Sequence, residues 1–203
     1  MIKIEPSDNT AQDNYKLLTG LIVPRPIAFV TTLSKEGVVN GAPFSFFNVV
    51  TSNPPLISLS IQSPNGNKKD TARNILKSGE FVVHITTESN VAQINEASAS
   101  LPPSESEIDL VGMTLAPSDK VQVPGVKEAL VRLECILEKE IPLGGTNDLP
   151  ACSLMIGRVV QFHISESLYD HGRIKVDRLR AVSKLAGPDY AKMGEIFPLV
   201  RPE

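Results

Sequence analysis

Between Ile27 and Gln62 the chain carries three β-patterned segments separated only by a tight turn and a proline pair. Ile27 to Leu33 is apolar and β-branched, which reads as a buried strand. Ser34-Lys35-Glu36-Gly37 is a hairpin turn, and Val38 to Thr51 returns as a second strand. Asn53-Pro54-Pro55 breaks the chain, after which Leu56, Ser58 and Ser60 alternate with Ile57, Leu59 and Ile61. Three strands in such close succession favour an antiparallel sheet or barrel. Pro43 lies inside the second strand and has no N–H to give to a ladder, so that strand must be at an edge or carry a bulge there.

The rest of the chain continues the β pattern with short helices between. Thr10 to Leu18 reads as a helix with Thr10 as N-cap and Gly20 just past its end. A second helix runs from Asp70, its expected N-cap, to about Lys77, stopped by Gly79. Phe81 to Thr86 is a strand, Ser89 to Ala97 a helix, and Ser98 to Asp109 a polar, acidic surface loop. Met113 to Leu115 and Val121 to Val123 are short strand candidates. Val131, Leu133, Cys135 and Leu137 share one face of a longer strand, with Arg132, Glu134 and Glu138 opposite. Ile141 to Asn147 turns through Gly144-Gly145, Leu154 to Ile164 is another strand, and a last one falls near Ile174 to Val176. A Pro188-led helix over Tyr190 to Met193 completes the reading, which is one domain: a β-barrel decorated by helices.

A chain of 203 residues hides about 70 per cent of its extended surface on folding, ample for a core without staples. With 7 Phe, 3 Tyr and no Trp, that core must be mostly aliphatic. The formal charge of −3 argues against nucleic acid or an anionic membrane held by bulk charge. No apolar run approaches the roughly 20 residues of a membrane span, and the first residues lack the basic and apolar regions of a signal peptide. Cys135 and Cys152 are too few for a disulfide framework, so a reducing cytosol is the expected compartment.

Several chemistries are absent. The chain has no GxGxxG, no GxxxxGK[ST], no GxSxG and no HExxH. His84 and His163 fall within strands and read as structural, His171 as a solvated turn residue, and the two cysteines as small apolar residues. The carboxylates form no acid/base pair, and no metal site is expected.

Two segments carry chemistry. In Asn40-Gly41-Ala42-Pro43-Phe44-Ser45-Phe46-Phe47-Asn48, small residues and a proline bulge let a flat ligand approach the backbone and free N–H groups for it. The competing reading is a bulged edge strand that packs Phe44 and Phe46 into the core. In Lys68-Lys69-Asp70-Thr71, unpaired N–H groups at a helix start, two lysines and a hydroxyl suit a phosphate. Here the competing reading is an ordinary capped helix with solvated lysines. Thr31, Thr32 and Ser60 could add hydroxyls, and the features together suggest a phosphorylated planar ligand.

The blocks Arg25-Pro26-Ile27-Ala28-Phe29-Val30-Thr31-Thr32, Asn40 to Asn48, Asn53-Pro54-Pro55, Lys69-Asp70-Thr71 with Asn74-Ile75, and Glu80-Phe81-Val82-Val83 closely resemble the flavin reductase-like family, in order and in separation. The C-terminal Tyr190 to Ile196 also looks like the end of such proteins. The resemblance implies a mainly β, six-stranded antiparallel split barrel with several short peripheral helices. It also implies FMN as cofactor, NAD(P)H as co-substrate and a homodimer with the flavin near the subunit interface. Carried over, the ring would lie against Ala42, Pro43, Phe44 and Ser45, and the ribityl phosphate would reach Thr31, Thr32, Ser60, Lys69, Asp70 and Thr71. Lys184 stands where relatives often have arginine, which keeps the charge and loses the bidentate fork. The expected activity is hydride transfer from NAD(P)H to bound flavin and onward to a protein partner, free flavin or oxygen. The alternatives are a flavoredoxin-like carrier reduced by a protein donor, and a barrel-based interaction protein without cofactor.

Overall fold

The computed structural model describes residues 1–146 and 148–202. Helix α1 (Ala11–Leu21) leads into β1 (Arg25–Pro26), β2 (Ala28–Leu33), β3 (Val39–Phe44), β4 (Phe47–Ser52) and β5 (Pro55–Gln62). Then come α2 (Asp70–Ser78), β6 (Glu80–Ile85), α3 (Val91–Glu96), α4 (Glu107–Leu110), β7 (Leu115–Ala116) and β8 (Gly125–Val126). Two 13-residue strands, β9 (Val131–Leu143) and β10 (Cys152–Ile164), form the backbone of the molecule. The chain ends through β11 (Tyr169–Asp170), β12 (Arg173–Ile174), α5 (Val176–Leu179), β13 (Val182–Lys184) and β14 (Tyr190–Lys192).

The principal sheet has seven strands in the order β3-β2-β6-β9-β10-β5-β4, every pairing antiparallel. Its two edge strands, β3 and β4, are consecutive in the chain and joined only by Ser45-Phe46. Flat, seven strands would hold their edges about 29 Å apart, whereas the link from Phe44 to Phe47 can span at most about 11 Å. The sheet must therefore curl until its edges nearly meet. The Ser60 N–H donates to the Phe46 carbonyl at 2.8 Å, carrying the β4/β5 ladder one residue into that link. This is a split barrel. The single strand anticipated over Val38 to Thr51 is thus two strands at opposite edges, which is why the sheet counts seven strands against the six expected.

Pro43 resolves as the edge alternative. The β2/β3 register runs unbroken from Ala28 opposite Phe44 to Leu33 opposite Val39, so β3 carries no bulge. Bulges occur elsewhere: at Glu138 in β9 and Val160 in β10 where those two strands pair, and at Val50 in β4 against β5. Inside the barrel, Val30, Leu59, Ile61, Ile75, Phe81, Cys135 and Met155 make one aliphatic core. Gly157 leaves room there for the Phe81 ring, since a Cβ on it would come within 2.3 Å of Phe81 Cζ. A second core between the sheet's other face and α3 and α4 holds Phe29, Val39, Ile94, Ile108 and Val126.

Several local expectations need correction. Thr10 does cap α1, its hydroxyl accepting from the Asp13 N–H, but the helix passes through Gly20 to Leu21. In α2, Lys69 rather than Asp70 is the N-cap: its backbone is extended, and its carbonyl receives the Arg73 N–H, while Asp70 is already helical and pairs with Arg73. Gly79 stops the helix at φ +75°, as expected. Val121 to Val123 is not a strand; Gly125–Val126 pairs with Leu115–Ala116 instead. The strand near Ile174 is shorter than expected, because Val176 starts α5. Tyr190 to Lys192 is strand, not helix, because its backbone pairs with β13, which pairs in turn with β1. Ile141 to Leu143 belongs to β9, the turn begins at Gly144, and Asn147 lies outside the described residues.

Glu134, which alternation places opposite the apolar face of β9, is fully buried. It receives N–H groups from Asp119 (2.8 Å), Lys120 (2.6 Å) and Val121 (3.2 Å), with His163 Nε2 alongside. Burial alone would raise its pKa, but the Asp119 and Lys120 N–H groups and His163 outweigh that and hold it below the usual glutamate value. His84 is structural as expected: Nδ1–H donates to the Phe29 carbonyl and Nε2 accepts from Val126, and burial pushes its pKa down to about 4. Burial likewise raises the Cys135 thiol, which keeps it inert. Among the described residues no helix is long and apolar enough to cross a membrane.

Candidate functional site

The site sits on the free edge of β3. Alternation along that strand sends Asn40, Ala42 and Phe44 toward α2 and the barrel core, and Val39, Gly41 and Pro43 toward α4 and the second core. Gly41 is required by close approach: a Cβ there would lie 2.6 Å from Ile108 Cδ1 and 2.8 Å from Phe29 Cζ. That approach lets Glu107, at the start of α4, reach over the edge. Its Oε2 accepts from the Gly41 N–H (3.0 Å) and from Asn40 Nδ2 (2.8 Å). The edge N–H groups imagined as free for a ligand are therefore spent at Gly41 and missing at Pro43.

Asn40 links this edge to α2. Its Oδ1 accepts from the Thr71 hydroxyl (2.9 Å) and the Thr32 hydroxyl (3.3 Å), and Thr32 Oγ1 accepts from Asn74 Nδ2 (3.0 Å). Beside this chain of hydrogen bonds is a cleft of about 180 Å³, walled by Ala42, Pro43, Lys69, Asp70, Thr71 and the stretch 97–101. A second cleft, about 340 Å³, adjoins it across Pro43 and Ser98 and runs between Phe44 and Ser45 on one side and Lys184, Pro188 and Tyr190 on the other. Sharing Pro43 and Ser98, the two clefts form one site at the end of β3.

Seven of the ten expected residues thus meet: Ala42, Pro43, Phe44, Ser45, Lys69, Asp70 and Thr71. Thr31 is elsewhere, buried with its hydroxyl donating to the Pro124 carbonyl at 2.7 Å. Thr32 is buried beneath Asn40, and Ser60 lies on β5; neither lines a cleft. Glu107, Asn95, Lys184 and Tyr190 are the participants that sequence reasoning did not place. Only the last two lay in a segment already marked by resemblance. Glu107 sits in an acidic, serine-rich run that no local signal separates from a solvated loop.

At the helix start, the first α-helical hydrogen bond is Arg73 N–H to Lys69 O at 3.0 Å, so the N–H groups of Asp70, Thr71 and Ala72 precede it. Arg73 neutralises the Asp70 carboxylate, and the exposed Lys69 ammonium lies 5.8 Å from the Phe44 ring centre. The donors for an anion here are backbone N–H groups and Lys69; the Thr71 hydroxyl proton is engaged with Asn40. On the far wall, Tyr190 donates its hydroxyl to Asn95 Oδ1 at 2.7 Å, and Lys184 Nζ lies 3.9 Å from the Tyr190 ring centre. An anion-suited corner joined to an apolar, aromatic slot fits a flat ring that carries a phosphate on a short tether.

Fold and geometry together define a split-barrel protein with a cleft at the end of edge strand β3. The chain belongs to the flavin reductase-like family: the family model described as flavin reductase-like domain matches residues 20–177. It is 52% identical to the uncharacterized protein YwrF of Bacillus subtilis over 195 residues, 95% of each chain. Among solved structures it is similar to nitrilotriacetate monooxygenase component B from Bacillus cereus, with TM-score 0.97 and 60% identity over 98% of each chain. It is also similar to the 2-nitrobenzoate 2-nitroreductase NbaA of Pseudomonas fluorescens, with TM-score 0.89 and 32% identity over 99% of this chain and 96% of that one.

Proposed function

We propose that this protein is an FMN-binding oxidoreductase of flavin reductase type, which takes a hydride from NADH or NADPH and passes the electrons to a protein partner, free flavin or oxygen. The observation that carries this reading is the meeting of Ala42 and Pro43 with Lys69, Asp70 and Thr71 around one cleft, continuous with the slot of Phe44, Ser45 and Tyr190. Relatives named as a monooxygenase component and as a nitroreductase support redox chemistry on this scaffold.

Bound FMN would supply the capacity to accept and release a hydride. The chain's own residues do the rest. Lys69 and the first N–H groups of α2 hold the phosphate. Ala42, Pro43, Phe44 and Ser45 wall the ring and exclude water from one face. Asn40, fixed by Glu107 and Thr71, keeps the strand edge and the helix start in register. Thr32 acts through Asn40, whereas Thr31 and Ser60 line neither cleft. Hydride transfer depends on stacking and distance and calls for no general acid or base. A homodimer belongs to the same reading, since edge strand β4 leaves Val49 and Val50 exposed, and Leu18 and Leu21 of α1 and Ile22 just after it are exposed too; the solution mass checks it.

Anaerobic titration of the FMN-loaded protein with NADH and then NADPH, read by flavin absorbance, tests the activity. Bleaching by either is the expected result. A yellow protein that resists both but is bleached by a reduced ferredoxin-type donor would instead be an electron carrier. A protein that binds no FMN would end the reading altogether. Lys69→Glu should weaken FMN binding about tenfold at low salt by setting a like charge beside the phosphate, with the gap narrowing as salt rises. An unchanged dissociation constant would remove the phosphate from this helix.

A further inference from the structure

Among the described residues the slot between Phe44 and Tyr190 has no Asp or Glu on its walls, and Lys184 is its one cation. Across the β1/β13 pairing Lys184 stands directly opposite Arg25. Two like charges in register oppose each other, and no carboxylate relieves them within ion-pair distance among the described residues. Arg25 is buried and gives its Nη hydrogens to the carbonyls of Thr19, Ile22 and Leu185. The contacts of Lys184 are the Tyr190 ring and, at 3.4 Å, the Asp189 carbonyl. The Asp189 carboxylate lies near enough to favour the ammonium, yet burial outweighs it and, with Arg25, holds Lys184 below the usual lysine pKa. A positive centre held this way, on the wall of an acid-free slot, favours a negative group within the slot.

We propose that Lys184 receives the negative charge of the reduced flavin ring and thereby sets the potential at which the protein gives up its electrons. This rests on the FMN reading above. Reduction breaks the C–H bond at the nicotinamide C4, and both electrons leave with the hydrogen to form an N–H bond on the ring. The donor departs as oxidised nicotinamide. The ring, neutral before, then carries one negative charge unless a second proton follows. A cation in a partly desolvated slot stabilises that charge and does little for the neutral oxidised ring. The chain thus favours the reduced anion without a general acid.

The test compares wild type, Lys184→Met and Lys184→Arg, each first titrated with oxidised FMN and then reduced in a spectroelectrochemical cell. The reading of the site is checked by the oxidised titration, so its failure is separate from failure of the Lys184 proposal. For Lys184→Met, oxidised FMN affinity should stay within about twofold while reduced FMN binds about tenfold more weakly, which for a two-electron couple is a potential about 30 mV more negative. The pH dependence of the potential near neutrality should change from one proton per two electrons to two, and Lys184→Arg should restore wild-type behaviour. A potential and proton count unchanged in Lys184→Met would overturn the proposal. So would equal weakening of both redox states, or loss of oxidised FMN by a variant that still melts cooperatively, since either makes Lys184 a binding wall. If Lys184→Met does not fold, Lys184→Gln takes its place, with the same outcomes deciding.

Discussion

Ala42→Phe should lose FMN affinity by at least about 100-fold, some 2.8 kcal/mol. Ala42 is half-buried on the edge strand and faces the 180 Å³ cleft between β3 and the start of α2. A phenyl ring there fills the space that joins the phosphate corner to the ring slot. The strand itself has no reason to fail, because edge position and open space accept the side chain without moving Val30 opposite. The check is flavin fluorescence titration alongside thermal melting without flavin. Excess FMN, at about 100 times the wild-type dissociation constant, should stabilise the wild type by about 2.7 kcal/mol and the variant by no more than about 0.4 kcal/mol. A variant that binds FMN within threefold of wild type would place the flavin wall elsewhere.

Glu134→Ala should be the most damaging single change to stability, at about 3–5 kcal/mol, because it removes the acceptor of three backbone N–H groups and leaves His163 facing an empty space. With a urea slope of about 2–3 kcal/mol per molar for a chain this long, the midpoint should fall by about 1–2 M. The same carboxylate gives stability a pH dependence of known sign. Its folded pKa lies below its ordinary value, so its contribution is complete above that ordinary value and is lost as pH falls through the folded one. Acid should therefore narrow the gap between wild type and Glu134→Ala. A variant within 1 kcal/mol of wild type at neutral pH would mean that the 117–123 loop is anchored by other contacts.

The candidate site was legible in the sequence where local chemistry is self-declaring. A proline in a β pattern must find an edge, a helix start offers N–H groups wherever it lies, and Ala42, Pro43, Lys69 and Thr71 could be named on that ground. Asp70 was misread as a cap because one residue of extended backbone at Lys69 shifts the helix start. The expected surface loop over Ser98 to Asp109 hides the burial of Glu107, and alternation says nothing of the burial of Glu134, because local spacing records only that a carboxylate is present. Whether it is buried depends on N–H groups 14 and 66 residues away that come to meet it.

The sequence alone determined the alternation that makes Ile57, Leu59 and Ile61 core residues, the left-handed stop at Gly79, the exclusion of a central position for Pro43, and the motif blocks that carry the family. Each follows from steric and hydrogen-bonding limits acting within a few residues. Only the tertiary structure decided that Val38 to Thr51 splits into opposite edges of one sheet, that Tyr190 pairs as a strand beside Lys184, and that the two wait on the same slot as Phe44. Those outcomes belong to closure of the barrel. A curled sheet brings together edges, termini and charges whose separation along the chain holds no trace of their contact.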